Sequence, residues 1–153
     1  MKISHALFAV VDLLLLALTA GIGFQVEGTT GYTRHVLLGV LAALFTCFVH
    51  VVLFMYFVVQ EKIVAQAILH HGLAGEFGGP VRRLKSRALR WSMSGIGMIL
   101  VTSALGSGLD SAFSVRIHLA AAFAAIFVEG VAFYFQFLLL DEYRRLFREA
   151  FGE

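Results

Sequence analysis

The chain is poor in charge, in proline and in cysteine. Asp, Glu, Lys and Arg supply only 14% of its 153 residues, whereas 59% are hydrophobic. A soluble domain of this length has too little interior to hide so much apolar surface, so the class is an integral membrane protein of one domain. One proline excludes a proline-rich linker, and no composition shift marks a disordered region. One cysteine, Cys47, excludes a disulfide framework and a CxxC metal site. There is no P-loop, GxSxG, HExxH or CxxCH, so a self-contained hydrolase is not indicated and any haem is noncovalent. A net charge of +2 with no aromatic-interleaved basic tract points away from nucleic acid.

What is abundant is long apolar sequence. A membrane-spanning helix needs about 20 mostly apolar residues, and four stretches qualify: 4–24, 35–59, 91–108 and 113–140. The expected fold is therefore all-α, a four-helix transmembrane bundle. The third span is diluted by Ser92, Ser94, Gly95, Gly97, Thr102 and Ser103, small residues of the kind that let membrane helices pack closely. The first span resembles a signal peptide, with Lys2 and a small-residue site at Leu18-Thr19-Ala20, but Asp12 inside its apolar run favours a retained helix.

Loop charge sets orientation. Lys2, Lys62, Arg82, Arg83, Lys85, Arg87, Arg90, Arg144, Arg145 and Arg148 fall on one side and are ten of the twelve basic residues. That side, with both termini, is expected to be cytoplasmic, in a bacterial inner membrane. Arg34 and Arg116 fall on the other side. Helix 2 has no breaker after residue 59 until Gly72, so it is expected to project into the cytoplasm to about residue 71. Gly72 to Pro80 reads as a turn, and the basic segment after it as a lead into helix 3. No internal repeat is apparent.

Ionisable residues inside these spans carry the functional signal, because each costs several kcal/mol in a bilayer unless paired, ligated or solvated. Asp12, His50 and Glu129 lie within apolar runs; His5, His35 and His118 lie at their ends. On a helical wheel, His5, Ala9, Asp12, Thr19 and Gly23 share a face of helix 1. His35, Gly39, Ala42, Thr46 and His50 share one on helix 2, and His118, Ala122, Ala125, Glu129 and Gln136 one on helix 4. Close packing accounts for the small residues but not for the histidines and carboxylates.

Two chemistries fit this pattern. Histidines on facing helices can ligate a b-type haem: His35 with His118 at the outer level, His50 with His5 at the inner level. Arg34 and Arg116 would then meet the outer propionates, and Gly39 and Ala122 would leave room for the macrocycle. The plain alternative is interfacial histidines with wet polar tips. A second reading makes Asp12, His50 and Glu129 a proton or transition-metal site, in a transporter or a non-haem metal enzyme. His35, His50 and His118 are candidate metal ligands in either case. The bland version is a neutral carboxyl that glues helices together. A third reading is a non-catalytic scaffold subunit.

The stretch from His35 to Phe57, with His50 fifteen residues after His35 and Tyr56-Phe57 following, resembles a group of small bacterial four-helix membrane proteins. His118 and Glu142-Tyr143-Arg144 extend the resemblance more faintly. It implies the fold and adds no activity. The chain departs from the cytochrome b pattern, in which one helix pair supplies both histidine pairs, since helix 4 has only His118. The leading expectation is an electron-transfer subunit of a membrane oxidoreductase, linked to a quinone and to other membrane subunits or a second copy of itself.

Overall fold

The computed structural model describes residues 1–70, 75–106 and 112–151. Four helices follow one another: α1 (Lys2–Gly23), α2 (Gly28–His70), α3 (Gly78–Gly106) and α4 (Ala112–Phe151). A single 3-10 turn, Gly75–Phe77, precedes α3, and no strand occurs among the described residues. All four helices are long and apolar enough to cross a membrane.

The connection between α1 and α2 is short enough to force antiparallel neighbours. Gly28 sits there at φ +63°, a left-handed conformation that a side chain makes costly. Each helix packs on two others around the bundle: α1 on α2 and α4, α3 on α2 and α4. Long apolar side chains point outward. Leu14, Leu44 and Phe127 are 65%, 65% and 72% exposed, an inside-out pattern that water would penalise and lipid accepts.

Helix lengths differ for a physical reason. The 43 residues of α2 span about 65 Å at 1.5 Å per residue, roughly twice the hydrocarbon thickness. Its projecting end is covered by the first part of α3 and the last part of α4. Leu53, Phe57, Val64, Val81, Leu84, Ala88, Leu139, Leu140 and Tyr143 form one core there. The basic segment before residue 91 is thus helical from Gly78, not a lead-in. Val81, Leu84 and Ala88 recur at helical spacing and face the core, while the arginines between them face out. Gly78 to Pro80 belongs to α3, because proline is tolerated in a first helical turn. His71 and Gly72 lie outside the described residues, and α2 is described to His70.

Ion pairs join the helices at this basic end. Lys2 Nζ reaches both carboxylate oxygens of Asp141 at 2.6 and 2.7 Å and lies over the Phe137 ring. Arg87 meets Glu142 at 2.8 Å, and Lys85 meets Glu61. The opposite end carries His35 and His118, here termed the histidine end.

Candidate functional site

The bundle interior is layered. At the histidine end, α2 supplies His35 and α4 supplies His118. Their rings meet edge-on across the bundle with centroids 6.1 Å apart and planes at 84°. His35 Nδ1 lies 3.2 Å from the Thr19 carbonyl oxygen, and His118 Nδ1 lies 3.1 Å from that of Thr102. A carbonyl only accepts, so each Nδ1 donates, and in the neutral ring Nε2 then keeps its lone pair. That is the tautomer a metal-ligating imidazole needs, with the supporting bond already in place.

Glycines make room for both rings. A Cβ on Gly23 would come within 2.9 Å of His35 Cε1, and one on Gly106 within 2.8 Å of His118 Cε1. Below the rings lies a cavity of about 300 Å³, at the small end of ligand pockets. Gly39 and Ala122 line its walls, as do Thr19 and Thr102. Leu16, Ala42, Ile99 and Ala125 form its floor, one buried residue from each helix. Arg34 and Arg116, each near a histidine in sequence, are exposed and do not line the cavity.

This level reveals a repeat. An offset of 83 residues carries Thr19 to Thr102, Gly23 to Gly106 and His35 to His118. The pattern Thr-x3-Gly-x11-His thus occurs once in α1–α2 and once in α3–α4, and both copies make the same bonds. The same offset carries Leu16 to Ile99 and Ala42 to Ala125, the four floor residues. His35 and His118 meet across the bundle, and the four floor residues share one cluster. The expectation of no internal repeat is corrected: the signal lies in three spaced residues, too sparse to stand out among apolar neighbours.

One turn beneath the floor the two halves differ. The offset pairs Asp12 with Gly95 and Thr46 with Glu129. Asp12, Thr46, His50, Glu129 and Gln136 are all fully buried. Thr46 donates to Asp12 Oδ1 at 2.8 Å. His50 Nε2 lies 2.7 Å from Glu129 Oε2, and its Nδ1 lies 2.9 Å from the Gln136 amide nitrogen. That amide also donates to Ser92 Oγ at 3.2 Å, whose hydroxyl donates to the His50 carbonyl at 3.3 Å. Gly95 packs on the pair so tightly that a Cβ would overlap His50 Nε2 and come within 2.8 Å of both Glu129 oxygens.

His5 lies toward the basic end. Its ring meets the Phe133 ring edge-on at 5.8 Å, and Phe133 stacks on His50 at 5.2 Å. Both ring nitrogens of His50 are therefore engaged, and Phe133 contacts both histidines. The structure brings His35 to His118, and Asp12, His50 and Glu129 into mutual electrostatic reach. No group of three His, Cys, Asp or Glu side chains is arranged to hold a metal ion among the described residues.

Sequence reasoning did not single out Gly23, Gly106, Gly95 or Ser92 as site residues. The glycines are marked only by what they lie against, which a single helix does not reveal. Comparisons with protein-family models, curated proteins and solved structures give no significant match, so function rests on this geometry.

Proposed function

We propose that this chain is a membrane electron-transfer subunit that holds one b-type haem between His35 and His118. The observation that supports the reading is the pair of imidazole rings brought together from α2 and α4, with centroids 6.1 Å apart. Each ring is oriented by an Nδ1–H bond to a backbone carbonyl, which is how ligating histidines are held. His35 and His118 would be the two residues that hold the group. Bound there, haem would supply one-electron redox chemistry, tuned by burial and by these hydrogen bonds.

The chain's own residues do the positioning. Gly23 and Gly106 allow the rings to seat, and Gly39 and Ala122 keep the cavity open. Arg34 and Arg116, exposed and near the histidines in sequence, would meet the propionates with charge-assisted bonds. Tyr32, Val36 and Val40 line the cavity and are also exposed, so a lipid-soluble quinone would reach it from the bilayer. The basic end is assigned to the cytoplasm by its excess of lysine and arginine, within a bacterial inner membrane. The proposal does not extend to a second haem on His50 and His5, because His50 has no free ring nitrogen.

Haem stoichiometry of the purified protein tests the reading. One haem per chain is expected, with loss of at least nine-tenths of it in both His35→Ala and His118→Ala. Two haems per chain, or unchanged content in either variant, would contradict it.

A further inference from the structure

The polar layer beneath the cavity floor has no part in holding that haem, yet it is the most deeply buried polar group in the molecule. Four of its side-chain atoms have no hydrogen-bond partner: His5 Nε2, Asp12 Oδ2, Glu129 Oε1 and Gln136 Oε1. Leaving a buried acceptor unsatisfied costs about 1–3 kcal/mol. Four such atoms in one layer call for an explanation beyond helix packing. No metal-binding cluster is formed among the described residues, and the floor residues Leu16, Ala42, Ile99 and Ala125 lie between the layer and the cavity.

We propose that His50, Glu129 and Gln136 form a one-proton store in the middle of the membrane, with two hydrogen-bonded states that differ by one proton. The first state is the one observed. The Gln136 amide N–H groups point to His50 Nδ1 and Ser92 Oγ, so Nδ1 accepts and the ring proton sits on Nε2, donated to the Glu129 carboxylate. In the second state a proton has been added. His50 Nδ1 takes it up, and the Nε2 proton passes to Glu129 Oε2, leaving a neutral ring and a neutral carboxylic acid. Glu129 then donates O–H to Nε2.

Nδ1–H now needs an acceptor, and Gln136 supplies one by turning its amide over. Its oxygen, idle in the first state, accepts from Nδ1–H and from the Ser92 hydroxyl, which swings away from the His50 carbonyl. The bonds of His50 and Glu129 are replaced, while the Gln136 NH2 group gives up both of its acceptors and turns to the position where its oxygen had no partner. The only net change is one proton gained, with no oxidant or reductant involved. An amide beside a hydroxyl is the pair that can serve both tautomers, since each can donate or accept.

Around this unit, α1 contributes Asp12 and His5, α2 contributes Cys47 and Thr46, and α3 contributes Ser92 and Gly95. Asp12 lies within electrostatic reach of Glu129 and His50. It is held by Thr46 and is the neighbour whose charge the store would feel. Gly95 packs against the layer without adding a titratable group.

Infrared difference spectroscopy between low and high pH tests this on the full chain in lipid vesicles. The low-pH state should gain a buried carboxylic C=O band and lose one carboxylate band. Nitrogen NMR of histidine-labelled protein should show one histidine move from the Nε2–H to the Nδ1–H tautomer over the same pH range. Both signals should vanish in Glu129→Gln, and the tautomer change should vanish in Gln136→Leu. Asp12→Asn should retain the C=O band. A band that survives Glu129→Gln but is lost in Asp12→Asn would overturn the assignment. So would a histidine that becomes doubly protonated instead of changing tautomer. Circular dichroism of each variant checks folding. Infrared and NMR readouts do not depend on colour, so a colourless protein would contradict the haem while leaving this test intact.

Discussion

At the residue scale, the site depends on atoms that are missing. Gly95 lies against His50 and both Glu129 oxygens, so adding one methyl must displace the buried His50–Glu129 hydrogen bond. Gly95→Ala should destabilise the protein by about 1–3 kcal/mol, read as a lower midpoint of thermal unfolding in detergent. Gly97, two residues on, has open space around its Cβ position. Gly97→Ala should be neutral or stabilising by up to about 1 kcal/mol, from helix propensity alone. Equal losses at the two positions would remove the claim that Gly95 is shaped by its neighbours. Tyr143 is a polar counterpart at the basic end. Its hydroxyl donates to Gln60 at 2.7 Å, and burial, with Tyr56 second, pushes it well above the usual phenol range. It therefore stays a donor through the physiological range, and Tyr143→Phe should cost about 1 kcal/mol in the same measurement.

At the element scale, the ends of α2, α3 and α4 opposite the histidine end are held by a core and decorated by ion pairs. Lipid gives packed helices no hydrophobic drive, whereas helix ends that stand in water would regain it. Leu84 is almost fully buried in that core, and Leu84→Ala should cost about 2–5 kcal/mol. Lys85, one residue on, pairs with Glu61 at a partly exposed position, and Lys85→Ala should cost about 1 kcal/mol or less. Chemical unfolding of the two variants separates the contributions; a larger loss at Lys85 would reverse this ordering. The four spans were legible as elements because length and apolarity suffice to define a membrane helix. Where each helix ends was less legible. The arginines between Val81 and Ala88 dominate the local composition, yet three apolar side chains at helical spacing decide the structure once α2 and α4 lie beside them.

At the scale of the whole molecule, two antiparallel hairpins with one shared pattern enclose a common axis. His35 and His118 are mates across it, and so are Gly23 and Gly106. Gly23→Ala and Gly106→Ala should therefore lower haem content to a similar degree, each by several-fold; a loss confined to one of them would speak against an axial ligand. Wheel projection from sequence already placed Asp12, Thr46, His50, Glu129 and Gln136 on inward stripes, and all five are fully buried. It did not show which histidines meet, because that depends on register between helices, nor the half-empty mate of Asp12 at Gly95, because a glycine announces nothing by itself. Symmetry at the histidine end and asymmetry one layer below divide the interior into a place for a ligand on the axis and a polar cluster off it. The central claim is the ligand on the axis. The absorbance spectrum of the purified protein, oxidised and then reduced, tests it most directly. The account predicts a red protein with a Soret band that shifts on reduction, is lost in His35→Ala and in His118→Ala, and persists in His50→Gln. A colourless protein, or a Soret band that survives His118→Ala and disappears in His50→Gln, would contradict it.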